Sequence, residues 1–284
     1  MKIGVFDSGY GGLTILREIR EALPEYDYMY LGDNARAPYG THSFDVIYRY
    51  TLQAVQYLVE NGCALVILAC NTASAKALRT IQQKDLPRIN DERLKKNGER
   101  VNVLGVIRPT VEAVPGITKS GHVGVLATPA TVSSESYVLE LAKFSESLPL
   151  TITQQACPMW VPLIEAGEHC AAGADYFVDL YLRSIFEKDP KIDTLVLGCT
   201  HYPLLLPKIE QWIAGKGEVR IIAQGKLVAE SLKDYLERHE EYRKQLSKGG
   251  TCRYLTTEDA ERFAQSASLF LDKSVKADKI CIYT

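Results

Sequence analysis

Seven cysteines occur in the 284 residues, and two of them stand out by position. Cys70 closes the apolar run Leu65-Val66-Ile67-Leu68-Ala69 and is followed by Asn71-Thr72-Ala73-Ser74. Cys199 closes Leu195-Val196-Leu197-Gly198 and is followed by Thr200-His201-Tyr202-Pro203. Each reads as a thiol at the carboxyl end of a strand, where a helix begins and its dipole favours thiolate. Burial alone accounts for any single cysteine of this kind. Two at matching places call for a reaction that uses both. Removing a proton from one face of a carbon and returning one to the other is such a reaction: a thiolate takes, a thiol gives, and the roles exchange in the reverse direction. An unperturbed thiol, with a pKa of about 8.5, is only a few per cent ionised at pH 7, so its neighbours decide its state. Asp7, at the end of the first apolar run, and His201, two residues beyond Cys199, are placed to relay protons to the two thiols.

The elements that must hold these residues alternate short apolar runs with longer segments of helical period, the pattern of parallel sheets with crossover helices. Strands are expected at Ile3–Asp7, Tyr28–Gly32, Leu65–Ala69, Val101–Ile107, Val123–Ala127, Leu150–Gln155, Thr194–Leu197 and Val219–Ala223. Leu13, Leu16, Ile19, Arg20 and Leu23 form one helical face that Pro24 stops, and Ser43–Glu60 is a second helix. Lys84–Arg100, charged and containing Pro87 and Gly98, reads as an exposed loop or short helix. The chain also repeats itself: Ile3-Gly4-Val5-Phe6-Asp7-Ser8 parallels Val123-Gly124-Val125-Leu126-Ala127-Thr128, and the Cys70 and Cys199 runs parallel each other. The fold class that follows is α/β, with two pseudo-symmetric parallel-sheet domains. The site lies in the cleft between them, because open α/β sheets bind ligands at the carboxyl ends of their strands.

Further candidates lie on the same predicted edge. Asp7-Ser8-Gly9-Tyr10-Gly11-Gly12 is neither a P-loop nor a full G-x-G-x-x-G, and reads as a tight turn whose N–H groups, with Ser8, hold a small carboxylate. Tyr39-Gly40 follows the second strand, and on spacing alone it reads as a turn. Glu165, in Cys157-Pro158-Met159-Trp160-Val161-Pro162-Leu163-Ile164-Glu165, follows the sixth strand, either reaching the cleft or lying on a solvated helix face. Cys63, Cys170, Cys252 and Cys281 read as structural, and Cys199-x-His201 is too little for zinc, so no metal is expected. A composition of 46% hydrophobic and 24% charged residues is that of a globular chain, and a net charge of −2 gives no basic excess for nucleic acid. No apolar run approaches a membrane span, Asp7 interrupts any signal-peptide core, and the scattered odd cysteine count suits reduced thiols, so the expected location is the cytoplasm.

Five stretches together resemble the glutamate racemases of the aspartate/glutamate racemase superfamily. They are Asp7-Ser8-Gly9-x-Gly11-Gly12-Leu13, Pro38-Tyr39-Gly40, Ala69-Cys70-Asn71-Thr72-Ala73-Ser74, Cys157-Pro158 through Gly167, and Gly198-Cys199-Thr200-His201-Tyr202-Pro203-Leu204. The resemblance implies a cofactor-independent, pyridoxal-free enzyme that interconverts L- and D-glutamate and supplies peptidoglycan synthesis. It assigns Cys70 to D-glutamate, Cys199 to L-glutamate, and Asp7, His201 and Glu165 to assisting roles. Asp7, Ser8, Tyr39, Gly40, Asn71, Thr72, Thr200 and His201 become substrate contacts. It also implies a homodimer and a C-terminal segment that returns to the first domain. The expected division is then 1–101 plus 219–284, carrying Cys70, and 102–218, carrying Cys199. The chain departs from the family at Ala127-Thr128-Pro129, where Gly-Thr is frequent, and at Ala223-Gln224, where Asp is usual. The competing readings are a racemase for another substrate, such as aspartate or a hydantoin, and a two-lobed amino-acid-binding protein. A nucleotide-dependent enzyme lacks any complete phosphate motif.

Overall fold

The strand Cys63–Leu68 is buried at every position, which is what a strand covered by helices on both sheet faces requires. In the computed structural model, which describes residues 1–144 and 149–283, it is β3 of a six-stranded parallel sheet. The others are β1 (Lys2–Asp7), β2 (Tyr28–Gly32), β4 (Asn102–Gly105), β9 (Cys252–Thr256) and β10 (Ala277–Lys279), in the order β10-β9-β2-β1-β3-β4. A second parallel sheet has the order β6-β5-β7-β8, from β5 (His122–Ala127), β6 (Thr151–Ala156), β7 (Thr194–Gly198) and β8 (Arg220–Ile222). The architecture is therefore two parallel-sheet α/β units, as the alternating pattern requires.

The strand order explains where a ligand can sit. After β1 the chain runs to β2 on one side and returns to β3 on the other, and β6 and β7 flank β5 in the same way. Each sheet thus has a switch point, between β1 and β3 and between β5 and β7, where the loops leaving two adjacent strands diverge and open a crevice. Asp7 ends β1, Cys70 follows β3, Thr128 follows β5 and Cys199 follows β7. The sequence repeat is therefore a repeat of switch points.

Helix α1 (Gly12–Ala22) buries Leu13, Ile15, Leu16 and Ile19 and ends just before Pro24. Helix α2 (Phe44–Glu60) spans the expected segment, with Ser43 as its N-cap residue. The charged stretch after Lys84 is an ordered helix, Leu86–Asn97, with Pro at its first turn and left-handed Gly98 closing it at φ 71°. Two strands fall across the expected domain boundaries. Asn102–Gly105 pairs with β3 as an edge of the first sheet, and Arg220–Ile222 pairs with β7 as an edge of the second. The chain crosses between sheets only after each of these edge strands is laid down. Strands β9 and β10 were not among the expected strands. They extend the first sheet beyond β2, so the C-terminal segment does return to it.

Candidate active site

The cleft between the two sheets is lined by residues from both switch points. Asp7, Ser8, Tyr39, Gly40, Cys70, Asn71 and Thr72 come from the first unit, and Thr128, Cys157, Glu165, Cys199, Thr200 and His201 from the second. Every candidate residue of the sequence analysis therefore meets in one cavity. Lys and Arg are absent among its described lining residues, so a carboxylate bound there is held by hydroxyl and N–H donors.

Cys70 caps helix α3 (Asn71–Lys76), its sulfur accepting from Ala73 N–H at 3.4 Å and lying 3.3 Å from Ser8 Oγ. These contacts favour thiolate, as the sequence suggested, but they do not decide the outcome. Burial and the nearby Asp7 carboxylate push the thiol up to about 12. Cys70 is therefore a proton-bearing thiol at neutral pH. Six residues of helix and one sulfur-directed N–H cannot offset desolvation. Asp7 is buried as well, and burial raises its pKa, opposed by His201 and by N–H donation from Gly9 at 2.9 Å.

The second thiol has a different neighbourhood. Cys199 Sγ lies 3.8 Å from His201 Nδ1, and His201 Nε2 lies 2.9 Å from Glu165 Oε1. Burial works against a charged imidazole, but the bonds to Cys199 and Glu165 and their negative charges outweigh it, so His201 is held well above its ordinary value. Both ring nitrogens face acceptors, the arrangement that suits imidazolium. Glu165 thus belongs to the cleft and not to a solvated helix face. Gly11 makes this packing possible, since a Cβ there would lie 2.3 Å from His201 Nδ1 and 2.6 Å from Thr200 Oγ1. The ring of Phe270, from the C-terminal helix Ala260–Leu271, meets the His201 ring edge-on at 5.6 Å.

Three expected substrate contacts have side chains that already bond to neighbours. Tyr39 O–H donates to buried Asp33 Oδ2, which also accepts from Arg36 Nε at 2.6 Å, while Thr257 donates to Asp33 Oδ1 at 2.9 Å. Asn71 is bonded to Gln224 and Tyr137. Thr72 Oγ1 meets Thr128 Oγ1 across the cleft at 2.9 Å and Thr131 Oγ1 at 3.3 Å. Asp33, Thr128, Tyr137 and Gln224 were not singled out as site residues. Thr128 and Gln224 did stand at the two departures from the family pattern, and that was the one signal the sequence held for them.

Two parallel-sheet α/β units, each presenting a cysteine at an equivalent switch point to one cleft, define the class of fold and site. The comparison with known proteins agrees. Residues 3–232 match the model of the Asp/Glu/Hydantoin racemase family, and this chain belongs to that family. It is 41% identical to a glutamate racemase of Roseobacter denitrificans and 39% identical to one of Ruegeria sp. (strain TM1040), in both cases over 97% of this chain and 98% of the relative. Among solved structures it resembles a glutamate racemase isoform from Bacillus anthracis, with TM-score 0.85, 30% identity, and coverage of 99% of this chain and 97% of that one. The glutamate racemase of Francisella tularensis in complex with D-glutamate gives TM-score 0.82 with the same identity and coverages.

Proposed function

We propose that the protein interconverts L- and D-glutamate by two-thiol proton exchange. The observation that carries this reading is the pairing of Cys70 and Cys199 at matching strand ends in one cleft. In the L-to-D direction, the thiolate of Cys199 takes the α-proton and becomes a thiol, leaving a carbanion whose charge spreads into the α-carboxylate. Cys70 then delivers its proton to the opposite face, which inverts the centre and leaves Cys70 as thiolate. His201 and Asp7 reset the two thiols by exchanging protons with them and with solvent. Neutral donors from Ser8, Thr72, Thr200 and the strand-end N–H groups hold the carboxylates, while Asp7 and Glu165 set a negative field that suits the ammonium group. Backbone N–H of Gly40 and Asn71, beside the same strand ends, adds to those donors. No step in this scheme calls for pyridoxal.

The division into 1–101 plus 219–284 and 102–218 is kept in outline, with β4 assigned to the first unit and β8 to the second. Homodimer formation, a cytoplasmic location and supply of D-glutamate to peptidoglycan synthesis extend the same reading. No described helix is long and apolar enough to cross a membrane. The test is circular dichroism of L-glutamate incubated with purified, reduced protein in deuterium oxide, without added pyridoxal phosphate. Loss of optical activity with deuterium at the α-carbon is the expected result. An unchanged signal from folded protein overturns the glutamate reading, and the same assay run on aspartate then separates another racemase from an amino-acid-binding protein.

A further inference from the structure

Gln224 opens the helix Gln224–Arg238 that carries the chain back from the second sheet, and it is almost completely buried. Its side-chain oxygen accepts from Asn71 Nδ2 at 2.5 Å. Its nitrogen lies 2.9 Å from Thr110 Oγ1, 3.0 Å from the Tyr137 hydroxyl, 3.2 Å from Asn71 Oδ1 and 3.3 Å from the Val106 carbonyl. The donors in this cluster can be assigned one by one. Thr110 gives its only hydroxyl proton to the Val106 carbonyl at 2.8 Å, so its oxygen must accept from Gln224. Tyr137 gives its proton to Asn71 Oδ1 at 2.8 Å, so it too must accept from Gln224. Both Gln224 amide protons are then used. The Asn71 carbonyl oxygen is occupied by Tyr137, and one Asn71 N–H is occupied by the Gln224 oxygen.

What remains is the second N–H of the Asn71 side chain, on a residue that lines the cleft directly after Cys70. A freely rotating asparagine could offer either a donor or an acceptor; this one has only a donor left to offer. The geometry points to Gln224 as a positioning residue that fixes the polarity of the Asn71 amide, so that it donates to a substrate carboxylate. This inference rests on the glutamate reading. The same side chain also joins both crossings between the sheets, because Val106 and Thr110 flank the first and Gln224 begins the second. Substrate binding at Asn71 is therefore tied to the alignment of the two units.

The test compares Gln224→Met, which keeps the side-chain length and removes every hydrogen bond, with Asn71→Ala and the double variant. Loss of one hydrogen bond to a charged group is expected to raise KM for glutamate roughly tenfold in each single variant, with kcat within about twofold. The double variant should be no worse than either single one, because both changes remove one interaction. Independent, multiplying effects, or an unchanged KM in folded Gln224→Met, overturn the inference. Gln224→Leu provides a second route should Gln224→Met not fold. It also removes the acceptor that holds Asn71 Nδ2 and must raise KM, and a wild-type KM in folded Gln224→Leu overturns the inference equally. Wild-type protein assayed alongside separates the two claims, since inactivity on glutamate there refutes the substrate assignment and not the Gln224 role.

Discussion

Replacing Glu165 with glutamine tests whether His201 works as a charged partner of Cys199. Glu165 Oε1 lies 2.9 Å from His201 Nε2, and its side chain is 27% exposed. At an effective dielectric of about 20, two unit charges at that distance attract by roughly 6 kcal/mol, a ceiling that exposure lowers. A hydrogen bond to a charged group contributes about 1.5–3 kcal/mol net, or about 1–2 pH units at 1.36 kcal/mol each. Glutamine keeps an acceptor but loses the charge, so the His201 pKa should fall by about that amount. The sign follows from the direction of the shift. A raised imidazole pKa keeps the ring charged to higher pH, so the variant loses the charge at lower pH, and the alkaline limb of the kcat profile moves towards acid. The same shift contributes to stability, fully present below the unfolded histidine value of about 6.5 and lost as pH rises through the raised folded value. The variant should therefore melt lower than wild type near neutral pH, with the gap closing in alkali. Initial rates followed by circular dichroism from about pH 6 to about pH 10, starting from each enantiomer, provide the assay. Enantiomers have equal free energy in water, so kcat/KM must match in the two directions for every variant, an internal control on the data. An alkaline limb that stays in place while kcat drops would refute the charged-partner argument.

The two thiols should separate in deuterium oxide. Cys70→Ser should wash deuterium into L-glutamate without inverting it, and Cys199→Ser should do the same to D-glutamate; near-normal racemisation by either variant sinks the two-thiol mechanism. Gly11→Ala forces the His201 ring and the Thr200 hydroxyl aside, so it should cost about 1–3 kcal/mol of stability and lower kcat at least tenfold. A crystal structure or melting curve indistinguishable from wild type would contradict that prediction. Asp33→Ala leaves Arg36, Tyr39 and Thr257 without their shared buried acceptor and should destabilise the fold by roughly 3–5 kcal/mol in urea unfolding. A loss under about 1 kcal/mol would show that solvent replaces the carboxylate.

The central strands were legible because strands buried on both faces leave continuous apolar runs, and the two cysteines were legible because those runs end on them. Strands β9 and β10 carry no such run. Cys252-Arg253-Tyr254-Leu255-Thr256 is half-exposed at its start, and Ala277-Asp278-Lys279 is a polar edge. Spacing set Asn71 on the predicted edge, read Tyr39-Gly40 as a turn beside it and left Glu165 between cleft and helix face, and it cannot show where a side chain spends its hydrogen bonds. Tyr39 turns to Asp33 and Asn71 to Gln224, and Glu165 reaches a histidine 36 positions away in sequence. At Cys70 the helix start acts in the expected direction but is outweighed by burial and Asp7. Sequence shows that a helix follows the thiol, but not that Asp7 and a dry pocket surround it.

The internal repeat is a symmetry of backbone and not of electrostatics. Equivalent strand ends set the two thiols on opposite sides of one cleft, which the geometry of inversion requires. Around the first thiol lie a buried carboxyl group and a serine hydroxyl; around the second, an imidazole backed by a carboxylate. Burial and Asp7 keep the proton on Cys70, while Cys199 and Glu165 together bias the His201 ring towards its charged form. In the proposed scheme, the cleft then holds one thiol that keeps its proton and a second beside a ring biased towards its charged form, and the scheme starts there for the L enantiomer. In that scheme the D enantiomer needs the opposite state, reached when Asp7, a stronger base than a free carboxylate because burial raises its pKa, takes up the Cys70 proton. A reaction with an equilibrium constant of one does not demand matching bases. It demands only that both protonation states be reachable, and two unlike neighbours with pKa values raised towards the working range meet that demand.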